Sequence, residues 1–225
     1  MMAIQHVQQV KNWDCGLASA QMVLKTILGH RFSSDEFSEK CRELAFETNV
    51  WTIDVACLLQ KFGVEHLYCT VTLGVDETYA EKRFYREDFN SEEARVNQLF
   101  RDADKTGLKI EKRSVTIDEI DKHLRENKVA IVLVDSITLN SGESQTSCCF
   151  RFFHSEKRNR HSNKDEEYAG HYIVVCGYNK SKRTIAYHDP ALEQGPTHTS
   201  LEVFEQARKC HGTDEDIVFV KINST

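Results

Sequence analysis

The chain has 225 residues, 40% of them hydrophobic, which suits one sizeable core and excludes a chain disordered throughout. Acidic residues outnumber basic ones, 35 to 29, so the formal net charge of −6 gives no reason to expect nucleic acid or an anionic membrane surface as partner. No apolar stretch approaches the ~20 residues that cross a bilayer, and no secretory leader is legible before Cys15; eight cysteines without a leader then suit a reducing cytoplasm or nucleus.

The first element is a helix opening at Cys15. Leu17, Ala20, Val23, Leu24, Ile27 and Leu28 recur at helical spacing until Gly29, and Asp14 is the residue type that caps such a start. Ser33-Ser34-Asp35-Glu36 has the form of a capping box for a helix through about Ala45, and Thr52 to Phe62, stopped by Gly63, makes a third. Val64 to Leu73 alternates weakly as a first strand. Between Asp76 and Lys105 the apolar spacing predicts helix interrupted near Asn90-Ser91, and Lys109 to Val115 returns to strand. Thr116-Ile117-Asp118-Glu119 is again a capping box, for a helix to Asn127, before the buried strand Val129 to Val134. Asn140 to Glu167 is irregular and mixed in charge, a solvated loop by composition, and its tether to the residues before His171 makes it a candidate lid. His171 to Cys176 and Thr184 to Tyr187 form a hairpin about the turn Asn179 to Lys182. Ser200 caps a helix to Arg208, and Ile217 to Ile222 closes the chain as a strand. No repeat is present. The expected architecture is a single α+β domain over 1–225. A mainly helical lobe (1–107) precedes a sheet-rich lobe (108–225), with a flexible loop at about 140–167 and a cleft between the lobes.

The chemistry lies in four residues. A thiol with a free pKa of about 8.5 becomes a good nucleophile as a thiolate beside a cation, and the first turn of a helix favours the anion. Cys15 meets the second condition, and Gly16 leaves room for a substrate chain. Gln9, on the segment before it, is positioned to aim its amide at an oxyanion, with the Cys15 backbone N–H as second donor. His171, on a rigid strand, is the candidate general base, and Asp189, near its level on the next strand, the carboxylate that fixes the imidazole. His188 is the rival base, but neighbours on an extended strand point to opposite faces. Taken singly, each residue also has a structural reading: free Cys packs as a small hydrophobe, the reading given to the other seven, and Asp189-Pro190 ends strands. No cofactor is expected. There is no Cys-x-x-Cys pair, Cys148-Cys149 with His154 and His161 lacks a structural zinc spacing, and neither Gly-x-x-x-x-Gly-Lys-Ser/Thr nor Gly-x-Gly-x-x-Gly occurs.

Gln9, then Cys15-Gly16 and a small-residue helix, together with His171 to Val175 and Asp189-Pro190, resemble the papain-like peptidase domains of bacterial transporters that trim double-glycine leaders. Over its whole length the chain is similar to the eukaryotic guanylyl cyclase domain-containing protein family, which includes plant members described as guanylyl cyclases. The first resemblance implies a papain-like fold with Cys15, His171, Asp189 and Gln9 as active-site residues. The second implies cyclisation of GTP to cyclic GMP. A metal-dependent cyclase needs carboxylates for its ions and cations for the triphosphate, and no recognisable arrangement of these appears. The expectation is therefore a cysteine hydrolase acting on a peptide or isopeptide bond of a peptide or protein substrate through a thioester. Guanylyl cyclase and an inactive papain-like interaction module are the alternatives.

Overall fold

The strand over Lys128–Asp135 explains how the domain is built. Val129, Ile131 and Leu133 enter one apolar cluster while Ala130, Val132 and Val134 enter another. Successive strand residues face opposite sides, so a run that is apolar at every position belongs to a sheet covered on both faces. The computed structural model describes residues 3–44, 49–75, 89–141 and 168–222.

Seven strands form one sheet: β1 (His66–Thr70), β2 (Ile110–Lys112), β3 (Lys128–Asp135), β4 (Gly170–Asn179), β5 (Thr184–His188), β6 (Thr197–Ser200) and β7 (Ile217–Lys221). Their order is β2-β1-β7-β3-β4-β5-β6. All pairs are antiparallel except β1 with β2, a parallel pair at one edge. β1 thus carries the sheet into the front part of the chain, and β7, last in sequence, lies between β1 and β3.

The helices are α1 (Cys15–Leu28), α2 (Ser34–Glu43), α3 (Thr52–Lys61), α4 (Phe89–Thr106), α5 (Ile117–Arg125), α6 (Ser136–Ser141) and α7 (Leu201–Arg208). Met22, Val23 and Leu24 of α1 and Val55, Leu58 and Leu59 of α3 pack on one sheet face, with Val96 of α4. Ile120 of α5 and Phe204 and Ala207 of α7 cover the other. The α5 capping box forms as its spacing requires, Thr116 Oγ1 accepting from the Glu119 amide and Glu119 accepting from the Thr116 amide. Ser33 and Ser200 cap α2 and α7 through the amides of Glu36 and Val203.

Three elements depart from the sequence-based expectation. α4 runs unbroken through Asn90 and Ser91, where the sequence predicts an interruption, because both residues fall in its first turn, which tolerates them. β6 has the polar sequence Thr-His-Thr-Ser, and as an edge strand it needs no apolar alternation. α6 follows β3 directly, its start held by the Asp135 carboxylate, which accepts from the Thr138 amide at 3.0 Å. Asn140 and Ser141, expected to open the irregular segment, belong to α6; the rest of the candidate lid, with Cys148, Cys149, His154 and His161, and the front of the helix expected from Asp76 lie outside the described residues. Among the described residues no helix is long and apolar enough to cross a membrane.

Candidate active site

Cys15 opens α1 and is only 7% exposed, yet it lines a cleft of about 220 Å3. Behind it the helix sits tightly on the sheet: a methyl group at Gly16 would stand 3.1 Å from the Tyr172 ring and from Val50. Only glycine lets the first turn approach so closely. Asp14 occupies the N-cap position but does not cap with its side chain. Its carboxylate turns back to accept from the Lys11 amide at 3.0 Å and the Val10 amide at 3.3 Å. That removes an expected role and supplies another: the charge is spent on the loop joining Gln9 to the helix.

His171 stands near the start of β4, paired with Val134 of β3. Val174 lies opposite His188, so in the same register Asp189 falls diagonally across from His171, on the same side of the sheet. The two meet, with 2.7 Å between His171 Nε2 and Asp189 Oδ1. Asp189 is anchored in turn by the Ala191 amide at 2.8 Å. With Nε2 committed to the carboxylate, Nδ1 is the ring nitrogen left for the Cys15 thiol, which also hydrogen-bonds to the imidazole. Burial alone would push the His171 pKa down; the Asp189 charge and hydrogen bond, with Cys15, outweigh it and raise it to about 10. Asp189 is displaced downward: burial opposes ionisation, and the His171 charge overcomes it. At neutral pH the pair is therefore an imidazolium held by a carboxylate, with the Cys15 side chain against the ring.

His188 has a separate partner. Its Nδ1 is 3.1 Å from Nδ1 of His6, whose Nε2 meets the Leu192 carbonyl at 2.8 Å. Burial, reinforced by His6, lowers the His188 pKa to about 4, so the ring is neutral and engaged away from the sulfur. Gln9 lies against the same turn, its backbone N–H donating to the Pro190 carbonyl at 2.8 Å. Its side-chain amide donates to the Lys11 carbonyl at 2.7 Å, which uses one of two N–H groups. The structure thus joins Cys15, His171 and Asp189 directly. Gln9 is placed on the adjoining strap, its side-chain amide turned to Lys11.

Sequence reasoning missed the other wall of the cleft. Thr52, Tyr172, Asp214 and Asp216 line it with Trp13 and Trp51. Asp216 is 6% exposed and accepts from the Tyr68 hydroxyl at 3.0 Å, with the hydroxyls of Thr52 and Thr70 also against it. Thr52 is linked onward to the Tyr172 hydroxyl at 2.9 Å. Burial, with the neighbouring Asp214 charge, pushes the Asp216 pKa from 3.8 up to about 8, against the pull of the three hydroxyls. The acidic run Asp214-Glu215-Asp216 before an apolar strand was the one available signal; its partners are remote in sequence. Because the folded pKa is raised, Asp216 favours folding fully below pH 3.8, and that contribution falls as pH climbs to about 8. The Asp216→Asn protein should therefore gain on the wild type in thermal midpoint between pH 4 and pH 8, read from melts across that range. A constant difference would contradict the assignment. Among the described residues no group of three or more His, Cys, Asp or Glu is arranged to hold a metal ion.

With this geometry in view, comparisons with known proteins separate lineage from fold. The family model described as guanylylate cyclase matches residues 4–220. The chain belongs to that family. A guanylylate cyclase family relative from Arabidopsis thaliana, called guanylyl cyclase 1, is 35% identical over 233 residues, covering 99% of this chain and 77% of the relative. Among solved structures, a C39-like peptidase from Bacillus anthracis superposes with a TM-score of 0.53 at 11% identity, covering 98% of this chain and 96% of the other. At that identity the likeness establishes the fold: this member of the guanylylate cyclase family has the papain-like α+β architecture of a C39-like peptidase.

Proposed function

We propose that the protein is a cysteine hydrolase that cleaves a peptide or isopeptide bond in a peptide or protein substrate. The observation that carries this reading is the Asp189–His171 bond of 2.7 Å, with the imidazole meeting Cys15 at the head of α1. An imidazolium beside sulfur, at the positive end of a helix dipole, is the setting that favours a thiolate. In the reaction the Cys15 Sγ attacks the scissile carbonyl carbon, and charge on its oxygen is met by the Cys15 backbone N–H, with Gln9 as second donor. His171 gives its proton to the departing amine as the C–N bond breaks, leaving a thioester and a neutral imidazole. Water then attacks the thioester as His171 takes its proton; the acid is released and the thiolate–imidazolium pair returns. Asp189 holds the ring in place throughout.

A peptidyl electrophile, such as a peptide vinyl sulfone, tests this on the full chain. Stoichiometric labelling at Cys15, absent from Cys15→Ala, is the expected outcome. Labelling no faster than that of the denatured protein would favour an interaction module. The family description and the plant relative's name favour a second reading, conversion of GTP to cyclic GMP. That reading predicts product from GTP with a divalent metal, in equal amount from the Cys15→Ala protein.

A further inference from the structure

The cleft beside Cys15 combines aromatic walls with a buried carboxylate that has no countercharge among the described lining residues. Trp13, Trp51 and Tyr172 line it, Asp214 and Asp216 lie in the same lining, and no Lys, Arg or His is among the residues that form it. Asp216 is more than nine-tenths buried, its described hydrogen-bond partners are hydroxyls, and the charge that acts on it most strongly is the like charge of Asp214. A buried carboxylate is usually paired. Left alone, Asp216 keeps a proton up to about pH 8; a bound cation is the other way to neutralise it, and aromatic faces add to the attraction for one. At about 220 Å3 the space is small for a whole cofactor and suits one side chain or a chain terminus. A triphosphate would meet two carboxylates and no cation there.

We infer that this cleft is a specificity pocket for a cationic group of a peptide, an ammonium or a guanidinium, held by Asp216 and Asp214 between the tryptophan rings next to the nucleophile. The inference deepens the hydrolase reading and rests on it for the words specificity and substrate; the binding itself does not need Cys15 to react. The cation has two sources, a Lys or Arg side chain or a free peptide N-terminus.

Trp13 and Trp51 are the two tryptophans of the chain, and both line the cleft, so intrinsic fluorescence reports its occupancy. The full-length Cys15→Ser protein is titrated with short alanine-based peptides carrying one Lys, Arg, norleucine or Glu, each with a free or an acetylated N-terminus. The Lys or Arg peptides are expected to bind at least about tenfold more tightly than the norleucine peptide, as a charged hydrogen bond warrants. If acetylation rather than the side chain removes the difference, the cation recognised is the N-terminus. Affinity should rise with pH toward and beyond about 8, as Asp216 ionises, and Asp216→Asn should abolish both the preference and the pH dependence. Asp214→Asn, which keeps a residue type suited to the φ of 49° there, should weaken the preference without unfolding the turn. Equal binding of Lys, norleucine and Glu peptides overturns the pocket. Cation-selective binding with no labelling of Cys15 in the wild type instead overturns the hydrolase and leaves the pocket standing.

Discussion

Replacing His171 with alanine is expected to slow labelling of Cys15 by a peptidyl electrophile about 10²–10⁴-fold, the usual worth of a positioned acid–base group. The apolar run from Ile173 to Cys176 is untouched, but Asp189 is left buried without its partner, so the variant loses stability and is labelled at a temperature where circular dichroism shows it folded; the double variant His171→Asn with Asp189→Asn supplies a second folded control. Asp189→Asn separates positioning from proton transfer. Burial alone pushes the His171 pKa down, and without the Asp189 charge the value should fall from about 10 toward or below 6.5, followed by NMR titration of the ring. The sign for stability follows: with the folded pKa raised, the pair's contribution is complete below pH 6.5 and is lost as pH rises through about 10. Asp189→Asn should lose most stability relative to the wild type between about pH 4 and pH 6.5, less in stronger acid where Asp189 itself takes a proton, and little above pH 10. An imidazole that titrates at the same pH in both proteins would break the proposed link.

Arg95→Ala should cost about 3–5 kcal/mol in denaturant unfolding at pH 7, because it strands a buried charge. Arg95 reaches from α4 to α3 and holds both oxygens of Asp54, at 2.6 and 2.9 Å, while bonding Glu92 at 2.7 Å. The Asp54 side chain is fully buried, and burial pushes its pKa up against the pull of Arg95; Arg95 in turn is held above its already high value. Pairing Asp54→Asn with Arg95→Leu should restore most of the loss, since an unpaired charge is costly where a matched apolar and neutral pair is not. A loss under about 1 kcal/mol, the value of an exposed pair, would contradict the burial argument. The effect reaches the cleft. Asp54 also accepts from the Trp51 amide at 2.9 Å, so the ion pair steadies the start of α3, where Trp51 and Thr52 line the pocket.

Local signals made much of this legible. The helix at Cys15, the hairpin that sets Asp189 diagonal to His171, and the opposite facing of His188 all follow from periodicity and turn chemistry, which act over a few residues. Asp14 was misassigned as a side-chain cap because the residue type allows either role; the choice fell to the free amides of Val10 and Lys11, which only the folded loop presents. β6 escaped notice because an edge strand needs no apolar face. Asp216 could not be found from its neighbours, since Tyr68, Thr70 and Thr52 come from a different stretch of chain and give that carboxylate its meaning only after the sheet has formed.

That strand also sets when the sheet can close. β7, the final strand in sequence, sits inside the sheet and bonds to β1 on one side and β3 on the other. β1 and β2 therefore have no strand to join them to β3 until β7 has been made, whereas α1 already rests on β4 through Ser19 and Tyr172. The middle of the sheet is thus closed by pairings between strands far apart in sequence, contacts that are slow to form.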